Sequence, residues 1–202
     1  MVGSKPPLLV IAGPTGVGKT AAAVALACRV PLEVISADSR QVYRGMDLAT
    51  GKPTAAEQAA VRHHLIDVVD PDDRYHAARF RADAERAIEG VRERGRLPVV
   101  VGGTGLYIRA LLRGLDPAPP ADLAYRDELA AIVAQEGRAA LHARLATAEP
   151  ALARRLHPND EIRVVRALER LRAGSAVGEA LVRWREGESP WTVIYVGLTL
   201  ER

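Results

Sequence analysis

LLVIA (8–12) runs without a break into GPTGVGKT (13–20), and an Ala-rich stretch, 21–29, follows at once. The five apolar residues read as a strand buried on both faces. The next eight fit G-x-x-x-x-G-K-[ST], placed after a strand and before a helix as that pattern requires. The glycines let the backbone curl so that N–H groups point inward at phosphate oxygens. The whole segment, Gly13, Pro14, Thr15, Gly16, Val17, Gly18, Lys19 and Thr20, is therefore the candidate phosphate-binding loop. Lys19 adds a point charge for the terminal phosphates, the Thr20 hydroxyl can take a Mg²⁺ position, and the helix N-terminus adds its dipole. Such a loop binds a di- or triphosphate without saying which reaction follows.

Outward from the loop, strand and helix patterns alternate. Pro31 precedes the run LEVI (32–35), HLIDVV (64–69) is a third apolar run, and PVVV (98–101) is a fourth, ending in Gly102-Gly103. Between the last two, residues 77–94 carry Ala78, Ala82, Ile88 and Val91 at helical spacing, and Gly95 stops them. Alternation to about residue 113 signals a parallel sheet covered by helices. Pro117, Pro119 and Pro120 then break the chain. Helices alone are expected afterwards, near 122–135, 137–147, 150–156, 159–173 and 176–186. TVIYVGL (192–198) reads as a last strand that rejoins the sheet. The expected class is α/β, a P-loop NTPase-like parallel sheet flanked by helices with an all-helical insertion before the last strand. Residues 1–115 with 190–202 would form the core, and 116–189 the insertion.

Composition narrows the function classes. The chain has 202 residues, 48% hydrophobic and 26% charged, enough to bury a core and too apolar for disorder. Cys28 is the one cysteine, so neither a disulfide framework nor a thiolate zinc cluster is possible. One Phe, two Trp and five Tyr argue against broad aromatic platforms for single-stranded RNA. The net charge is +3, and among the 28 basic residues only Lys5, Lys19 and Lys52 are lysines. A pI near 9.3 is compatible with nucleic-acid binding but does not require it. No apolar run approaches the roughly 20 residues that span a bilayer, and the polar start does not read as a signal peptide. A cytoplasmic protein with no membrane partner is expected.

Further candidates lie just past the strands, where open parallel sheets bind ligands. Asp38, Ser39 and Gln41 follow the second strand; Asp38 is a base, a metal-shell ligand or a cap for its own turn. Thr104 offers a hydroxyl after the Gly102-Gly103 turn. His63 and His64 suggest a metal, but with no third ligand at suitable spacing a hydrogen-bonding role is preferred. Asp67 and Asp70 could reach a metal through water as a Walker B acid does. From 154 to 172 there are six arginines and three acids, and Arg163, Arg166 and Arg170 recur at i, i+3 and i+7 on one helix face. That face is either RNA-binding or merely solvated.

Five segments in order, GPTGVGKT (13–20), ISADSRQVYRGMDLATGKP (35–53), HHLIDVVDP (63–71), VVVGGTGLYIRALLRGL (99–115) and LHPNDEIRVVRALE (156–169), resemble the tRNA dimethylallyltransferase family, also called tRNA isopentenyltransferases. The resemblance covers essentially the whole chain. It implies transfer of a dimethylallyl group from its diphosphate to N6 of the adenosine on the 3′ side of the anticodon. The loop would then cradle a leaving group, with Lys19, and Mg²⁺ at Thr20, meeting the charge that builds on pyrophosphate. Asp38 would accept the amine proton from a base drawn out of the anticodon stack. Asp38, Ser39, Arg40 and Gln41 match tRNA-contacting positions, and so do Asn159, Asp160, Ile162, Arg163 and Arg166. Thr104 and Arg126 match positions that touch the tRNA or the reaction centre. Arg202 matches an arginine on the pyrophosphate. The implied cofactor is Mg²⁺, and the implied partners are the tRNA anticodon stem-loop and dimethylallyl diphosphate. A monomer is expected, since no exposed apolar heptad is evident. Family members continue well beyond the last strand, where this chain stops. The alternatives are prenylation of free adenine nucleotides, a small-molecule kinase with ATP in the loop, and a shortened homologue that binds without turnover.

Overall fold

The computed structural model describes residues 5–115, 119, 121–174 and 188–200. Arg202, Pro117, Pro120 and the helix expected at 176–186 lie outside them. Two compact units divide the chain, Met1–Gly114 with Gly187–Arg202, and Leu115–Glu186.

The first unit is built on one parallel sheet of order β3-β2-β4-β1-β5. Its strands are β1 (Pro7–Ala12), β2 (Leu32–Ser36), β3 (His63–His64), β4 (Leu97–Gly102) and β5 (Thr192–Gly197). β1 lies between β4 and β5, in register Ile11↔Val101 and Ile11↔Val196. Interior parallel strands need apolar side chains on both faces, and β1 has them. Leu8 and Val10 join one core with Ile35, Phe80, Ile88, Val91 and Val100. Ile11 joins the opposite core with Ala23, Val34, Val99 and Val101. Helix α1 (Lys19–Ala27) contributes Ala23 to the second core, while α3 (Ala77–Glu93) and α4 (Gly105–Arg113) build the first.

Two sequence expectations change here. HLIDVV is not a six-residue strand: β3 keeps only His63 and His64, with one further bridge, Tyr43↔Val69. Leu65 (φ 63) and Asp67 (φ 55) adopt left-handed backbone, which breaks a ladder whatever the apolar pattern says. A short helix, α2 (Ala55–Ala60), also appears where none was expected. Its signal was present, because Thr54 and Glu57 form a reciprocal capping box.

The second unit is helical: α5 (Leu123–Glu136), α6 (Arg138–Ala148), α7 (Pro150–Ala153) and α8 (Glu161–Arg172). The expected 150–156 helix shortens to four residues. Leu129, Leu141, Leu145, Leu152, Leu156, Val164 and Leu168 form its core. Asp122 caps α5 through Tyr125 N, and Asp160 caps α8 through Arg163 N at 3.2 Å. No helix among the described residues is long and apolar enough to cross a membrane.

Candidate active site

The glycine loop leaves β1 and enters α1 through Gly16 (φ 82) and Gly18 (φ 88), the latter capping the helix. Both conformations strain residues with a Cβ. Gly13 is small for another reason: a Cβ there would lie 2.5 Å from the Leu198 carbonyl oxygen. Lys19 Nζ donates to the Pro14 carbonyl at 2.7 Å, folding back over the loop. Burial lowers the Lys19 pKa, and the nearby Asp38 charge works against that shift.

The second strand delivers its residues to the same edge. Ala37 N donates to Val101 O at 2.8 Å, and a Cβ on Gly102 would sit 2.2 Å from the Ala37 oxygen. Only glycine allows β2 and β4 to exit this close together. Asp38 Oδ1 accepts from Arg40 N at 2.9 Å and Gln41 N at 3.4 Å. One carboxylate oxygen thus holds the turn, and a ligand can engage the other. Thr104 Oγ1 accepts from Ser39 N at 2.9 Å and donates to Ser39 Oγ at 3.3 Å, tying the β4 exit to the Asp38 turn. Gln41 Oε1 accepts from Ser36 Oγ at 2.8 Å, and its Nε2 donates to Gly51 O at 2.7 Å. Arg40 is exposed.

Lys19, Thr20, Ser36, Asp38, Gln41 and His63 line one cavity of about 20 Å³, enough for about one water. His63 Nδ1 lies 2.8 Å from Val61 O, so Nδ1 carries the proton. Its Nε2 is buried with no hydrogen-bond partner among the described residues, and burial lowers the ring's pKa, which leaves a neutral acceptor in the cavity wall. His64 faces elsewhere, with Nε2 2.7 Å from Glu33 Oε2. Asp67 and Asp70 do not line the cavity. Asp67 Oδ1 accepts from Lys52 Nζ at 2.6 Å, and Asp70 Oδ1 from Arg44 Nη1 at 3.0 Å. One oxygen of each is engaged by a cation of the preceding loop. Among the described residues, no three His, Cys, Asp or Glu side chains group as a metal site.

In the helical unit, the sequence-predicted basic face does not form as spaced. Arg163 is exposed and pairs with Asp160 at 3.2 Å. Arg170 is buried. Arg166 donates to Glu169 at 3.0 Å and to Pro119 O at 2.8 Å. Arg126 grips the same Glu169 carboxylate with two hydrogen bonds, at 2.7 and 2.8 Å. That carboxylate is 1% exposed. Burial alone would raise the Glu169 pKa, but the two guanidiniums outweigh it and hold it low. Arg126, Arg166 and the 84% exposed Ile162 border a groove of about 330 Å³ floored by Leu129, Ala130 and Val133. Asn159 is exposed and hydrogen-bonds through its N–H to His157 Nδ1. Sequence reasoning missed Glu169 and Lys52. Glu169 left one signal, an acid among the inward positions of α8, and Lys52 another, a rare lysine in an Arg-rich chain.

The family model described as IPP transferase matches residues 41–202, and one described as isopentenyl transferase matches residues 6–74. The chain belongs to the IPP transferase family. It is 57% identical over 176 residues to a tRNA dimethylallyltransferase of Anaeromyxobacter sp. (strain Fw109-5), covering 87% of this chain and 59% of that one. It is 48% identical to the tRNA dimethylallyltransferase of Geobacter sulfurreducens, covering 99% of this chain and 65% of that one. Among solved structures, the full-length tRNA isopentenylpyrophosphate transferase of Bacillus halodurans is 45% identical with TM-score 0.61, covering 98% of this chain and 61% of that one. A eukaryotic dimethylallyltransferase acting on tRNA is 30% identical with TM-score 0.78, covering 96% and 48%. The chain thus spans about three-fifths of the length of the curated IPP transferase relatives it matches.

Proposed function

We propose that this chain takes part in transfer of a dimethylallyl group from dimethylallyl diphosphate to N6 of the adenosine 3′ to the anticodon of tRNA. The observation that carries the reading is the convergence of Lys19, Thr20 and Asp38 on one cavity at the sheet edge in an IPP transferase chain. The relatives' names, tRNA dimethylallyltransferase, support the substrate pair.

The chemistry follows from the residues. The loop amides and Lys19 bind the diphosphate and stabilise the negative charge that grows as the C–O bond breaks. Lys19 exchanges its bond to the Pro14 carbonyl for phosphate oxygens. The adenine amine is a weak nucleophile because its lone pair is delocalised into the ring. Asp38, held through Oδ1, takes the N6 proton on its other oxygen as the C–N bond forms. Thr104 fixes the Asp38–Gln41 turn through Ser39 and would present its hydroxyl to the tRNA or the reaction centre at the same edge.

Mg²⁺ suits the oxygen donors here. Thr20 lines the cavity, and its hydroxyl is the protein oxygen that would hold the ion beside the substrate phosphates, which Mg²⁺ typically recruits as ligands. When bound with the diphosphate it would neutralise leaving-group charge. The tRNA anticodon stem-loop would meet the Asp38–Gln41 turn and, in the helical unit, Arg126, Asn159, Asp160, Ile162, Arg163 and Arg166. Arg202 would serve the pyrophosphate. A cytoplasmic monomer completes the proposal.

The test supplies dimethylallyl diphosphate labelled in the prenyl group, Mg²⁺ and unmodified tRNA, with AMP and ATP as competing acceptors. Label in tRNA alone is expected. Label in AMP or ATP instead, or ATP consumption without transfer, contradicts the reading.

A further inference from the structure

Lys52 lies in a segment that no step of the proposed chemistry uses, yet its side chain is only 7% exposed. Its Nζ donates to Tyr43 O at 2.8 Å, Asp47 Oδ1 at 2.7 Å and Asp67 Oδ1 at 2.6 Å. All three ammonium hydrogens therefore have acceptors. Burial by itself would lower the Lys52 pKa; the two carboxylates more than offset this and raise it, so the cation persists.

The acceptors come from two segments, the loop after β2 and the exit of β3. Other bonds join the same pair. Arg44 reaches Asp70 at 3.0 Å and Val68 O at 3.2 Å, Val68 N donates to Val42 O at 2.8 Å, and Asp67 N donates to Gln41 O at 3.1 Å. Three non-glycine residues with left-handed backbone, Ala49, Leu65 and Asp67, also fall in these two segments. Such conformations persist only where surrounding contacts over-determine them. Lys52 is the buried centre of those contacts.

Its sequence neighbours touch the site directly. The Gly51 carbonyl accepts from Gln41 Nε2 at 2.7 Å, and Pro53 lines the cavity with Lys19 and Asp38. Thr15 of the glycine loop packs beside Gly51, 3.6 Å from where a Cβ would stand. We infer that Lys52 is a positioning residue. It clamps residues 43–53 to the β3 exit so that Gly51 holds Gln41 and keeps the Asp38–Gln41 turn in its RNA-receiving shape. This rests on the reading that the turn contacts RNA.

Lys52→Met should fold, because Asp47 and Asp67 are 71% and 44% exposed and can take water in place of the ammonium. Three quantities are read on the full chain: amide exchange over 41–53, binding of inorganic pyrophosphate, and binding of unmodified tRNA. Lys52→Met should speed exchange over 41–53 by about tenfold and weaken tRNA binding by about tenfold. Pyrophosphate affinity should stay within about twofold, since the glycine loop keeps its own geometry. Adding Gln41→Ala should weaken tRNA binding by less than the product of the two single effects, because Lys52 acts through Gln41. Unchanged exchange in Lys52→Met overturns the role, and so does a parallel loss of pyrophosphate binding, which marks general destabilisation. If the unsubstituted chain fails to bind tRNA, the RNA reading falls and the positioning role with it, while the exchange contrast still reports whether the clamp exists.

Discussion

The two units hold their candidate functional groups in opposite ways. The α/β unit shapes its site with main chain. Glycines bring β1, β2 and β4 together at one edge, and a buried cation, Lys52, clamps the loop alongside between two acids. The helical unit does the reverse. A buried anion, Glu169, holds two arginines, Arg126 and Arg166, at the border of a groove. In the first unit the geometry of the candidate site comes from where the backbone can go. In the second it comes from how a charge is neutralised, and the arginines there are fixed guanidinium planes rather than free phosphate clamps.

The largest expected effect probes that second arrangement. Glu169→Gln leaves two guanidiniums facing a neutral amide in a buried site, and should destabilise the helical unit by about 3 kcal/mol. Amide exchange along α5 and α8 measures it. A change below about 0.5 kcal/mol would mean the arginines do not depend on Glu169, and the contrast between the units would fail.

A comparable effect sharpens the first unit. Glu33 is buried in β2, and the Arg94 fork at 3.0 and 2.8 Å, helped by His64, holds its pKa down to about 2 against the opposing effect of burial. A carboxylate pKa lowered by folding stabilises the native state above the unfolded value near 4.5. That stability is lost as the pH falls from 4.5 toward 2, and amounts to on the order of 3 kcal/mol. Urea unfolding between pH 6 and 2.5 should show the loss, and Glu33→Gln should abolish this limb while lowering stability at neutral pH.

A smaller effect falls on ligand binding. Lys19→Met removes a charged donor from the glycine loop and should weaken pyrophosphate binding by about 1.5–3 kcal/mol, read by calorimetry. Unfolding midpoints should barely move, because its ammonium bonds to the loop's own Pro14 carbonyl. The smallest effect is at Arg163, whose side chain is 59% exposed. Arg163→Ala should leave stability within about 0.5 kcal/mol and reduce the salt slope of tRNA binding by about 0.7–1. An unchanged slope would make Arg163 a solvated residue.

The same contrast explains what the sequence revealed. The glycine loop, β1, β4 and the Asp38 turn were legible because backbone geometry imposes residue types on contiguous positions, glycine above all. Gly13 and Gly102 allow no Cβ, so their identity is written locally. The charge networks were not legible. Nothing near Arg126 announces that its partner lies 43 residues on, and nothing in the i, i+3, i+7 spacing says that Arg166 is tied down while Arg170 is buried. Apolar runs misled at HLIDVV, where local backbone at Leu65 and Asp67 overrides the pattern.

The most direct test of the account compares the unsubstituted chain with Asp38→Asn in single-turnover prenyl transfer, with tRNA and pyrophosphate binding measured on the same samples. The account predicts transfer slowed by about 10²–10⁴-fold in the variant, with both affinities nearly kept, because the amide can hold the turn through its oxygen but cannot take the N6 proton. Equal transfer rates in the two proteins would contradict it and remove Asp38 from the chemistry.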